Sequence, residues 1–143
     1  MSGSSNVLVG IDGSPTSRSA LKWAAAEAER DGAEVVAMMV WAPVLPPVGG
    51  ADSAPREVVA NPREVAEEEL MQTIVDELGD NPPVKVQPVV KEGNPAKVLI
   101  EASGDADLLV VGTRGHGGFA GLLLGSVSQQ VAAHAKCTVV VVR

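Results

Sequence analysis

The chain has 143 residues, 45% of them hydrophobic, with a formal net charge of −7 and a single cysteine. That length gives one domain with a core of useful size, and the charge disfavours nonspecific attachment to nucleic acid or anionic membrane, which rests on basic side chains meeting phosphate. The lone Cys137 excludes an internal disulfide and a cysteine-rich metal site, and 2% aromatic content without tyrosine argues against base-stacking platforms for single-stranded nucleic acid.

In chain order, residues 7–11 read as a buried strand and Asp12-Gly13-Ser14 as the turn after it. Ser14 before Pro15 is an N-cap with proline at the first helical position. The helix it opens runs to about Arg30, with Ala20, Leu21, Ala24 and Ala28 as a small-residue face for a sheet, and Asp31-Gly32 ends it. Residues 34–41 are the second strand. Between 42 and 61, Pro43, Pro46, Pro47, Gly49, Gly50 and Pro55 leave no period, so a long mobile loop is expected. Ala66, Leu70, Ile74 and Leu78 then recur every four residues, the mark of an amphipathic helix, with Glu67, Glu68 and Glu69 as its solvated side. Residues 84–90 form a third strand, Asn94-Pro95 opens a short helix, 107–111 is a fourth strand, 126–135 a last helix and 137–142 a fifth strand. This alternation predicts an α/β fold: one domain over 1–143, with an open five-stranded parallel sheet, helices on both faces and right-handed crossovers.

The most informative stretch is Leu108-Leu109-Val110-Val111-Gly112-Thr113-Arg114-Gly115, followed after nine residues by Gly125-Ser126. Four apolar residues in a row suit a strand covered on both faces. Gly112 and Gly115 lack Cβ, so the backbone can turn sharply and admit a ligand closely. The first N–H groups of the helix beginning at Gly125-Ser126 have no partner inside it and, with the helix dipole, suit phosphate. In such sheets ligands bind at the carboxyl ends of strands where the strand order reverses. If the first and fourth strands are neighbours, Asp12 and the glycine loop face one crevice. Asp12 and Ser126 also have structural readings, as a turn residue and an N-cap. Arg114 can neutralise phosphate or stay solvated. His116 reads as a solvent-facing loop residue, His134 as a helix-end residue, Cys137 as an inert small hydrophobe, and Trp23 and Trp41 as packing residues. No cluster of metal ligands is present; Mg²⁺ would arrive with a nucleoside triphosphate.

With Val9-Gly10-Ile11-Asp12-Gly13-Ser14 after the first strand, and Gly112-Thr113-Arg114-Gly115-His116-Gly117-Gly118 leading to Gly125-Ser126-Val127-Ser128 after the fourth, nearly the whole chain resembles the universal stress protein family. Its ATP-binding subclass carries Gly, two residues, Gly, nine residues, Gly, then Ser or Thr, and this sequence matches that pattern without a gap. The resemblance implies a Rossmann-like sheet in order 3-2-1-4-5, a homodimer paired through 137–142, and ATP, with Mg²⁺, in the crevice of strands one and four. It implies that backbone from Gly10 through Ile11 to Asp12 and around Val40 borders adenine, with Asp12 near the ribose. Gly112 and Gly115 would wrap the phosphates, and Gly125, Ser126, Val127 and Ser128 would donate to them.

A regulatory protein switched by ATP occupancy is the leading expectation. No residues 1–143 segment reads as a basic region plus apolar run, and none reaches the roughly 18–20 apolar residues of a membrane span, so cytoplasm is the expected place and an adenine nucleotide the expected partner, beside a signalling partner the sequence does not name. An ATP hydrolase is less expected, because there is no G-x-x-x-x-G-K-[ST] loop, no lysine in the glycine loop and no residue that stands out to orient water. A cyclic AMP module is the other alternative; the full glycine loop favours a chain of phosphates. In a Rossmann dinucleotide domain the glycine fingerprint follows the first strand, not the fourth.

Overall fold

The structure, a computed structural model, describes residues 5–42, 61–113 and 125–143. Strands β1 (Asn6–Ile11), β2 (Glu34–Trp41), β3 (Val86–Glu92), β4 (Leu108–Gly112) and β5 (Thr138–Val142) form one parallel sheet in the order β3-β2-β1-β4-β5. Helices α1 (Pro15–Asp31), α2 (Pro62–Leu78), α3 (Pro95–Ala102) and α4 (Ser126–His134) connect them, with a 3-10 turn at Ser103–Asp105. The fold class and strand order are those expected.

Alternate residues of each strand feed two cores. Val7, Val9 and Ile11 of β1 pack with Val35, Ala37 and Met39 of β2 under α1 and α2. Leu8, Met38, Leu109 and Val111 pack on the other face with Leu99 of α3 and Val131 of α4. Ala20, Leu21, Ala24 and Ala28 are fully buried, so α1 lies close to the sheet on the face its sequence marked out. Gly10 has the same role in reverse: a Cβ there would come within 2.9 Å of Leu99 Cδ1, so its absence seats α3 on β1. On the outside of the α1–α2 layer, the Arg18 guanidinium donates to Glu77 at 3.1 Å and to Asp76 at 3.4 Å, and the Glu77 bond above all holds it charged.

Two expectations need correction. The third strand starts two residues later than placed and runs on to Glu92. Its backbone pairs with β2 from Val35–Val86 to Trp41–Glu92, so hydrogen bonding continues past Val90, where the apolar pattern stops. An edge strand tolerates exposed Lys91 and Glu92 because one flank faces solvent. Trp23, expected to pack, is exposed on α1, whereas Trp41 does pack against the α1–α2 core. The segment between β2 and Asn61, expected as a long loop over 42–61, lies outside the described residues from 43 to 60.

Candidate functional site

The sheet has one reversal. From β1 the chain crosses to β2 on one side, and from β4 to β5 on the other. Pairing between β1 and β4 covers Val7–Leu108, Leu8–Leu109 and Val9–Val110 and then stops. Each strand nevertheless stays paired with its outer neighbour to the end, Ile11 with Met39 and Gly112 with Val142. The two central strands therefore part over their last residues, and a crevice opens at their carboxyl ends. The reversal is what requires it, since the connections leave in opposite directions.

On the β1 side of the crevice, Asp12 organises the entry to α1. Its Oδ1 accepts from the Ser14 backbone N–H at 2.9 Å and from the Ser14 hydroxyl at 2.5 Å. Ser14 is the N-cap, and its Oγ accepts from the Ser17 N–H at 3.3 Å. Ser17 Oγ in turn accepts from the Asp12 N–H and donates to the Ser14 carbonyl. Gly13, at φ +83°, supplies the left-handed residue this turn requires. Ser14 and Ser17 are buried while Asp12 is exposed, so its carboxylate is anchored through one oxygen and reachable by a ligand. Asp12 thus has the turn role read from sequence, and its carboxylate is exposed.

On the β4 side, the chain leaves at Thr113 and returns at Gly125. The two are joined directly: the Gly125 N–H donates to the Thr113 carbonyl at 2.5 Å. Thr113 is fixed from behind by its own N–H, which donates to the Val142 carbonyl at 2.9 Å. The Ser128 hydroxyl, buried, donates to the Thr113 and Gly125 carbonyls, 3.1 Å from each. That hydroxyl was expected to serve phosphate; it instead ties the first turn of α4 to the end of β4.

Ser126 is not an N-cap. Gly125 holds that position, in extended conformation, and no described side chain caps the helix. α1, α2 and α3 each begin with a side-chain cap (Ser14, Asn61, Asn94) followed by proline. α4 alone among the described helices has neither, so the leading N–H groups of Ser126, Val127 and Ser128 receive nothing from a cap. Ser126 is exposed at this end.

Gly112 joins the two halves. A Cβ there would lie 2.6 Å from the Thr16 carbonyl carbon and 2.8 Å from the Ser17 nitrogen, besides meeting Thr16 Oγ1. Its bare backbone lets the first turn of α1 approach the end of β4. Expected to face a ligand, this glycine has α1 as its described neighbour. Ile11 is buried in the core and contributes backbone only, and Val40 lies half-buried near the end of β2, on the sheet face opposite Trp41. The structure therefore brings together Gly10, Ile11, Asp12, Gly112, Gly125, Ser126, Val127 and Ser128 at one end of the sheet, with Val40 one strand away. Arg114 and Gly115, like His116, lie outside the described residues. Among the described residues no group of three or more His, Cys, Asp or Glu side chains could hold a metal ion, and no helix is long and apolar enough to cross a membrane.

Comparison with known proteins agrees with this architecture. A sequence model of the universal stress protein family matches residues 3–143. A universal stress protein of Mycolicibacterium smegmatis is 41% identical over 139 residues, covering 96% of this chain and 45% of that protein; the chain spans about half the length of the curated relatives it matches. Among solved structures, a universal stress protein in complex with cAMP is 28% identical, with a TM-score of 0.67 over 99% of this chain and 98% of that one. UspA from Lactobacillus plantarum shares the fold, with a TM-score of 0.74 at 21% identity and complete coverage of both chains. The chain belongs to the universal stress protein family.

Proposed function

We propose that this domain binds ATP, carried with Mg²⁺, in the crevice between β1 and β4, and that occupancy rather than catalysis is its output. The observation that carries the reading is the start of α4, which no described side chain caps, set by Thr113 and Gly125 beside the parted strand ends. Ser126 and Val127 N–H groups would hold phosphate there, Asp12 would accept from ribose hydroxyls, and Gly10, Ile11 and Val40 would border the adenine. Mg²⁺ would neutralise phosphate charge while keeping several waters and phosphate oxygens as ligands, so the protein need not supply a cage. The described residues offer no lysine or other cation at the α4 start to stabilise a transferring phosphoryl group. Turnover is therefore expected to be absent or far below the roughly one per second of ordinary enzymes.

A second reading, cyclic AMP as the ligand, is favoured by the 28%-identical protein solved with it. The same adenosine subsite would serve, with one phosphate at α4 in place of three. Pairing of two copies through β5 fits that strand's composition: Val139 to Val142 are half-exposed, without charge or proline to protect the edge.

The test is thermal unfolding with ATP–Mg²⁺, ADP, AMP, cyclic AMP and NAD in parallel. A ligand at 100 times its Kd adds about 2.7 kcal/mol, a rise of several degrees for a domain this size. The largest rise is expected with ATP–Mg²⁺. A rise with cyclic AMP alone would transfer the site to the second reading, and no rise with any nucleotide would refute both.

A further inference from the structure

The two helix layers do not cover the sheet equally. α2 packs over both β2 and β3 on its face. On the opposite face α3 packs against α4 and touches β2, and among the described residues β3 is covered there less than α2 covers it on its own face. The result is a groove of about 540 Å³ between α3 and β3. Val36, Met38 and Ala102 contribute apolar surface to it, and Glu92, Glu101 and Asp105 bring three carboxylates against the single ammonium of Lys91. All three acidic residues are exposed, and none of them forms a salt bridge among the described residues.

Its lining extends from Asn6, the first residue of β1, to Glu92, the last of β3. At about 3.3 Å per strand residue that is on the order of 20 Å, the reach of a short peptide segment rather than of one small metabolite. The acidic rim repels phosphate, so the groove is not a second nucleotide site. Apolar surface between carboxylates complements a chain that alternates apolar side chains with cations, whose long aliphatic stems also cover apolar surface.

We propose that this groove docks a segment of a partner protein in which apolar side chains are flanked by lysine or arginine. The docking is independent of the nucleotide reading, since it uses no residue of the crevice. The test takes three short fluorescein-labelled peptides as probes: leucine with lysine, leucine with glutamate, and serine with lysine. Binding to the full chain is followed by anisotropy, and the contact surface by amide shifts of the ¹⁵N-labelled protein. The leucine–lysine peptide is expected to bind best and to shift the amides of Val36, Met38 and Ala102. The double variant Glu101→Lys/Asp105→Lys is expected to weaken it about tenfold. Glu68→Lys/Glu69→Lys on α2 makes the same change in net charge elsewhere and is expected to leave binding unchanged. Because the changed side chains are exposed, both variants should melt like the parent. Equal weakening by the two variants would reduce the effect to overall charge and overturn the proposal. So would shifts centred elsewhere, equal binding of the serine–lysine peptide, or a concentration-dependent doubling of mass that buries these same amides.

Discussion

The starts of α1 and α4 flank the same crevice and solve the same problem in opposite ways. Every helix begins with N–H groups that have no partner within it. At α1 the chain supplies its own: Ser14 caps, Asp12 holds Ser14, and Ser17 returns a bond to Asp12. At α4 the cap position is Gly125, no described side chain caps the helix, and the buried Ser128 hydroxyl is spent on the Thr113 and Gly125 carbonyls. A turn closed on itself is rigid and indifferent to anions. A turn fixed from behind and, among the described residues, uncapped in front leaves N–H groups of the kind that suit them. The contrast sets the turn that serves as scaffold apart from the one proposed to receive phosphate, at the same end of the sheet.

The largest effect is expected where the two meet. Gly112→Val would drive a side chain into the Thr16 and Ser17 backbone, which cannot yield as a flexible side chain can. A loss of about 3 kcal/mol or more is expected in chemical unfolding, and a variant as stable as the parent would show that this packing is misread. Next, Gly125→Asp would give α4 the kind of cap α1 has. The helix should gain a few tenths of a kcal/mol, while affinity for ATP–Mg²⁺ measured by calorimetry should fall about tenfold or more, since a fixed carboxylate competes for the same N–H groups and repels phosphate. Unchanged affinity would mean that the bare start of α4 is not where phosphate binds.

Ser14→Ala tests the scaffold side. It should cost about 1 kcal/mol of stability and lower the melting midpoint by about 4 °C, with a smaller effect on nucleotide affinity than Gly125→Asp. A larger effect on affinity than on stability would erase the distinction between the two turns. The smallest effect concerns Cys137, beside β5 and remote from both. Burial, and after it the charge of Asp107, pushes its thiol pKa up. The folded state therefore holds the proton more firmly than the unfolded chain. This contribution to stability is present below the ordinary thiol pKa and fades as pH rises through the folded value. Alkylation at mildly alkaline pH should be slower than for free cysteine and insensitive to nucleotide; equal rates would contradict the burial.

Most of the fold was legible because it is written in local signals. Ser14-Pro15, Asn94-Pro95 and the four-residue spacing from Ala66 to Leu78 each name an element without reference to the rest of the chain. The misplaced strand is the one whose extent is set by a neighbour: β3 follows the backbone of β2, not its own apolar run. The same division holds at the site. The turn at Asp12 and the exposed start of α4 follow from residue types close in sequence. The reason for a glycine at 112 is α1, almost a hundred residues earlier, and the engagement of Ser128 depends on Thr113 across the loop. Contacts of that span leave no periodic trace.

The most direct test of the central claim is a titration of the ¹⁵N-labelled protein with ATP–Mg²⁺, comparing the first turns of α1, α2, α3 and α4. The amides of Ser126 and Val127 should shift most, while those of Ser17, Arg63 and Lys97, which donate to side-chain caps, should move little. Shifts spread equally over the four helix starts, or absent from α4, would contradict the assignment of the phosphate site.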